Sequence, residues 1–242
     1  MAIMRDPYLY EDVDVLKNKL GIKDPEKLEN AEAAITLGNL ADVEKFAIGE
    51  FSIEKLKDIH KHIFGDIYEW AGEFRMVNIE KAERVLAGLS VQYSPYELIE
   101  KDVKKVIDKF NKIELEKSNL DKIVEDISKL TAELWQVHCF REGNTRTTIT
   151  FTEMFARSKG INIDNELLKD NSKYVRDSLV LSSIGEYSEY SHLIKIMKDS
   201  ISLKGDINND KTKDNVFMEK YLEKQRRKSL AKERTKDRWI ER

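Results

Sequence analysis

One cysteine, three prolines and ten glycines in 242 residues leave several architectures with too little to be built from. A lone Cys139 excludes an internal disulfide framework and a cysteine-based zinc site, and it fits a reducing compartment. So few turn formers argue against an all-β sandwich or barrel, which needs one at each of its many short connections. No apolar run approaches the roughly 20 residues that span a bilayer, and the opening MAIMRDPYLYEDVD has no basic-then-apolar leader pattern. What is present is 36% charged and 40% hydrophobic residues, the balance of amphipathic helices in water. The expectation is a mostly helical protein of the cytoplasm, with no membrane contact.

Net charge is also small, at −3, because 42 Lys/Arg nearly balance 45 Asp/Glu, but it is unevenly spread. Residues 217–242 hold ten Lys/Arg against five Asp/Glu, a local +5, so the chain before them carries −8. A body of that charge is not a general nucleic-acid binder, and only the basic tail is suited to nucleic acid or an acidic partner. A polar stretch, GDINNDKTKDN at 205–215, separates the two and reads as a linker. The tail itself is helix-prone, and a plain solvated helix is its simplest reading.

Upstream of the linker, apolar residues recur at three-to-four spacing. Asp24-Pro25 opens a helix carrying Leu28, Ala31 and Ile35, and Ser52 caps one carrying Leu56, Ile59 and Ile63. Further helices are predicted from Ser94-Pro95 through Phe110, along Leu120, Ile127, Leu134 and Val137, and over 145–158, 173–182 and 189–201. The exception is 74–94, where two short β-prone stretches, 76–79 and 89–93, flank a polar middle and Gly88. That pattern suits a small hairpin or a long loop.

The chemistry concentrates at 138–147, HCFREGNTRT, where the longest apolar helix ends. An imidazole, a carboxylate and Gly-Asn-Thr-Arg stand just before another amphipathic run. Free N–H groups at a helix start attract phosphate oxygens, glycine permits close approach, and an arginine nearby holds more phosphate. Glu142 offers a hard oxygen for Mg2+, and His138 a proton acceptor. The same composition also suits a plain Gly-Asn helix stop beside a histidine, and the residues alone leave both open.

The run resembles the Fic family signature HxFx(D/E)GNGRxxR. Upstream, LKDIHKHIFGDIYEWAGEFRMVNIEK at 56–81 resembles that family's second recurrent stretch, a helix leading to an IYEWAG-like turn and a hairpin called the flap. The resemblance covers about 51–201 and includes stand-alone, toxin-like and effector-like members. It implies an all-α Fic/Fido helical core with a short β-hairpin flap at 51–204. Around it lie an N-terminal helical extension at 1–50, the linker at 205–216 and the basic charged helical tail at 217–242. It further implies protein AMPylation, the transfer of AMP from ATP to a Tyr, Thr or Ser hydroxyl of a target protein. His138 would take the hydroxyl proton, Phe140 would anchor the loop, and Glu142 would bind Mg2+. Gly143, Asn144 and Thr145 would form the anion hole, and Arg146 would contact the β-phosphate. The flap, with Asn78, Ile79, Lys81 and Gly88, would dock an extended segment of the target by strand addition.

Three positions depart from the signature. Cys139 replaces proline; a Cys-His nucleophile is not expected of adjacent residues. Thr145 replaces the second glycine, adding a hydroxyl to the cradle. Ile149 replaces the second arginine, a γ-phosphate contact in the family, which keeps another phosphate-containing donor, or a degenerate nucleotide-binding module, in view. That family's inhibitory pattern, (S/T)xxxE(G/N), has only partial matches at 182–186 and 229–233, and no glutamate follows Thr36 at the required place. Self-inhibition by that pattern is therefore not expected, which leaves either a separate antitoxin supplying the glutamate or no such control. His60 and His62, two apart on a helix, point to different faces and read as structural.

Overall fold

The computed structural model describes residues 6–47, 49–114 and 120–203. The chain divides into two units, Met1–Lys204 and Gly205–Arg242. The expected linker, the tail and the partial match at 229–233 lie outside the described residues.

Residues 6–24 are irregular, with a single bridge between Leu9 and Leu16, so the helical part of the N-terminal extension begins only at Pro25. There Asp24 accepts the Lys27 N–H at 2.9 Å and Pro25 takes the first turn of α1 (Pro25–Leu40), where its missing N–H costs nothing. Ser52 caps α2 (Ile53–Phe64) through the Lys55 N–H at 3.3 Å. Such caps are each worth about 1 kcal/mol. A tight turn at Tyr96–Leu98 leads into α3 (Ile99–Asn111), and α4 (Leu120–Val137) follows, ending one residue before His138.

The remaining elements are α5 (Asn144–Ser158), β1 (Ile161–Ile163), α6 (Asn165–Asp170), α7 (Ser172–Leu181), α8 (Ser191–Ser200) and β2 (Ile201–Leu203). Helix α4 is the axis of the core: it packs on α3, α5, α7 and α8, while α2 covers the other side of α5. Its Ile127, Leu134 and Trp135 are buried, as are Phe110 of α3 and Phe151 and Phe155 of α5. Phe51 and Phe110 both meet Phe151 and Phe155 edge-on, at centroid distances of 5.0 to 5.8 Å, the arrangement aromatic quadrupoles favour.

Two expectations change in detail. The strands form elsewhere: β1 and β2 pair antiparallel, Ile161 opposite Leu203, and tie the end of α8 to the end of α5. The segment 78–94 does reverse direction, through Glu83 N–H to Leu89 O and Gly88 N–H to Glu83 O, both at 3.0 Å. However, it pairs no strands. Its flanks are held by side chains instead, with Asn78 Oδ1 accepting the Tyr96 N–H and Ser90 Oγ accepting the Lys81 N–H, so those N–H groups are not available to a ladder.

Candidate active site

A cavity of about 770 Å³ opens where α1, the start of α5 and the start of α7 meet the 78–94 loop, and His138, Glu142, Gly143, Asn144, Thr145 and Arg146 all line it. The volume lies in the range of sites for small ligands. The structure thus brings these six residues together with Lys81 of the loop, and adds Arg176 from α7.

His138 terminates α4 in the left-handed region, at φ 51°. For a residue with a Cβ this costs about 1 to 2 kcal/mol, and two neighbours hold it there. Its own N–H bonds the Trp135 carbonyl at 3.0 Å, and Arg75 Nε donates to its carbonyl at 2.8 Å. The ring is buried between Tyr93, stacked at 4.1 Å, and the edge of Trp135. Nδ1 lies 3.3 Å from the Trp135 carbonyl; a carbonyl only accepts, so Nδ1 carries the proton and Nε2 the lone pair. Nε2 is buried and has no hydrogen-bond partner in the protein. Burial first, and the Lys81 charge second, hold the imidazole pKa well below its usual value. His138 is therefore a neutral base with one unpartnered, buried nitrogen, on a residue that lines the cavity.

Glu142 is the second feature. Burial would raise its carboxyl, but the Lys81 ammonium at 2.9 Å and its bond to the Gly143 N–H outweigh that and hold it at about 2. Among the described residues no three His, Cys, Asp or Glu side chains gather as a metal cage. A single ionised carboxylate fits a Mg2+ that takes its other oxygens from water and phosphate.

Gly143 precedes α5 at φ 78°, and a Cβ there would lie 2.3 Å from the Phe64 ring. Only glycine meets both conditions. No side chain caps α5, so the N–H groups of Asn144, Thr145 and Arg146 precede the first intrahelical acceptor and form an anion-attracting end. The Asn144 side chain has a different task from the expected one: it accepts the Phe140 N–H and donates to the Phe140 carbonyl, at 2.9 and 2.7 Å, bracing the loop. Phe140 is buried against His60 at 3.8 Å, as an anchor should be. Thr145 Oγ1 accepts the Trp135 indole N–H at 2.9 Å and an Arg176 N–H at 3.4 Å. Ile149 does not line the cavity.

Arg146 is already engaged. It donates to Thr36 Oγ1 at 2.8 Å and forms an ion pair with Glu32, both on α1, and Tyr68 O–H also donates to Glu32. The family's inhibitory pattern places the acid after the threonine, so it does not predict a glutamate from this helix. Glu32 precedes Thr36 by four, one turn on the same face, a spacing that was visible in the sequence.

The loop residues divide. Lys81 reaches into the cavity and Gly88 sits exposed at the tip at φ 95°, but Asn78 spends its side chain on the loop base and Ile79 is half-buried. Cys139 is a buried thiol pushed up to about 12 by burial, which excludes it as a nucleophile at neutral pH. His60 is structural, and its contacts show what it holds. It accepts the Gly72 N–H on Nδ1 at 2.8 Å, so Nε2 donates to the Glu142 carbonyl at 3.1 Å, fixing the carboxylate loop to the turn after α2. Arg75, which the sequence did not single out, is buried and donates to the carbonyls of Val77, Ser94 and His138.

Residues 50–156 match the family described as Fic/DOC. The chain is 30% identical over 194 residues to protein adenylyltransferase VbhT of Bartonella schoenbuchensis, covering 79% of this chain but only 38% of that one. It is 27% identical over 203 residues to the probable protein adenylyltransferase y4lH of Sinorhizobium fredii, covering 80% of this chain and 96% of that protein. Among solved structures, an N-terminal Fic domain of a Bartonella quintana effector with bound ADP superposes with a TM-score of 0.62 at 24% identity, over 81% of this chain and 94% of that one.

Proposed function

We propose that this chain, whose residues 50–156 match the Fic/DOC family, is a protein adenylyltransferase, moving AMP from ATP to a Tyr, Thr or Ser hydroxyl of a target protein. The observation that carries this reading is the neutral, unpartnered Nε2 of His138 set in one cavity with an uncapped helix start and an ionised Glu142.

The target hydroxyl loses its proton to His138 Nε2 as its oxygen bonds the α-phosphorus; the bond from that phosphorus to the bridging oxygen breaks and pyrophosphate leaves. The Trp135 carbonyl holds the Nδ1 proton and so stabilises the imidazolium that forms. The N–H groups of residues 144–146 receive the phosphate oxygens, and Arg146 neutralises the leaving charge once it exchanges Glu32 for phosphate. Glu142 would hold Mg2+, which supplies charge neutralisation across the phosphates when bound; Lys81 must then give up its place on one carboxylate oxygen. The loop at 78–94, with Met76 beside it and Leu89 exposed on it, is the surface offered to the target. The nucleotide reading is also supported by the ADP-bound neighbour. A cytoplasmic site of action, in the producing cell or in one that receives the protein, is part of the same proposal, as is an antitoxin partner.

A second reading keeps the site and changes the donor, because Ile149 brings no charge to the phosphates. Incubation with labelled ATP and Mg2+, followed by mass spectrometry of modified proteins, separates the two: the added group is AMP in the first case and phosphate or another fragment in the second. His138→Ala is expected to slow AMP transfer by about 10² to 10⁴ while nucleotide still binds. Unchanged turnover would remove histidine catalysis.

A further inference from the structure

Four Lys and Arg side chains line the cavity, Lys81, Arg146, Lys173 and Arg176, and the three that form ion pairs differ in where their acidic partners sit. Lys81 is matched by Glu142 and Arg146 by Glu32, and both carboxylates line the cavity. A phosphate arriving there meets each of these cations already neutralised from its own side. Arg176 is different. Its carboxylate, Glu83, is buried on the 78–94 loop, lies outside the cavity lining, and also accepts the Tyr93 hydroxyl.

From this placement we infer that Arg176, carried by α7 and not by the signature run, is the guanidinium that receives the terminal phosphates of the donor. Glu83 grips one edge of the fork from behind at 2.7 Å, and the Thr145 hydroxyl meets another nitrogen at 3.4 Å. The guanidinium also lies over the Trp135 ring, 5.9 Å from its centroid. An arginine fixed this way keeps its charge, loses few rotamers on binding, and has donors left for oxygens in the cavity. It stands beside Thr145, at the helix start where the phosphate-attracting N–H groups lie. The two departures at 145 and 149 then have one explanation. A threonine in place of glycine supplies the hydroxyl that orients Arg176, and Arg176 supplies the charge that Ile149 lacks.

The inference rests on the nucleotide-binding reading above, and the test separates them. Calorimetric titrations with ATP, ADP, adenosine and inorganic tripolyphosphate, each with Mg2+, are compared for the wild type, Arg176→Gln, Arg176→Lys and the double variant Arg176→Gln/Glu83→Gln. The double variant removes the buried carboxylate that the single change would strand. Loss of the charge-assisted contact is expected to weaken ATP and tripolyphosphate binding roughly tenfold or more, with adenosine unchanged and Lys restoring part of it. A role confined to bracing the loop would move adenosine and ATP alike, and so would overturn the inference. ATP binding that is equal in wild type and all variants would also overturn it, leaving the adenylyltransferase reading standing. Tripolyphosphate binding that depends on Arg176 without any ATP binding would support the inference and sink that reading.

Discussion

At the scale of single residues, the chemistry turns on protonation states set by burial. His138 is a base above its own pKa, and that pKa lies well below the ordinary imidazole value because of burial and then Lys81. AMP transfer is therefore expected to keep a flat kcat/KM as pH falls through the usual histidine range, with the acid limb displaced below that range. Lys81→Gln should move that limb back up toward the usual histidine range. A wild-type limb centred near 6.5 would mean that the ring is solvated when it works. Gly143 is the other residue whose identity is forced. Gly143→Ala combines a left-handed backbone with a Cβ 2.3 Å from Phe64, and an expected loss of about 2 to 4 kcal/mol is read from urea midpoints.

At the scale of elements, α1 was legible as a helix and illegible as part of the site. Asp24, Pro25 and the apolar spacing specify a helix from local rules alone, whereas the contact of Glu32 and Thr36 with Arg146 spans more than 100 residues and depends on how α1 docks. The same division holds elsewhere. The run from His138 to Arg146 was readable because its residues are neighbours in sequence. Arg176, Arg75 and His60 act through carbonyls, hydroxyls or carboxylates far along the chain, and no spacing announces them. The short strands β1 and β2 escaped notice because three residues carry no period. At 78–94 the residues leave a small hairpin and a long loop both open, because β propensity cannot tell a ladder from flanks bonded to Asn78 and Ser90, and the loop is what forms. The docking of α1 has a measurable effect. Glu32→Gln leaves the helix intact but removes the charge that competes with phosphate for Arg146, and ATP affinity should rise roughly tenfold. An unaltered affinity would show that Arg146 takes no part in holding phosphate.

At the scale of the whole molecule, His60 and His138 are both buried and neutral, with His60 lowered to about 4 by burial. Folded pKa values below the unfolded value of about 6.5 mean that acid protonates the unfolded chain first. Their contribution to stability is complete above that pH and declines as pH falls, by about 1.4 kcal/mol per pH unit for each histidine until the folded groups titrate. Urea unfolding at pH 7, 6 and 5 should show this decline, and His60→Gln should shallow it by close to one proton. A stability independent of pH over that interval would contradict the buried, neutral assignment.

The contacts of Arg75 reach further than the site they stabilise. One guanidinium holds the carbonyls of Val77 and Ser94 and, from its other edge, that of His138. The two ends of the intervening loop are thus posts set in the same foundation as the base. Whatever lies between the posts and keeps Lys81, Glu83 and Tyr93 can be exchanged without disturbing the chemistry. On the proposal that this loop meets the target, target choice becomes a replaceable part: loops grafted between 77 and 94 are expected to redirect modification to new proteins at an unchanged intrinsic rate.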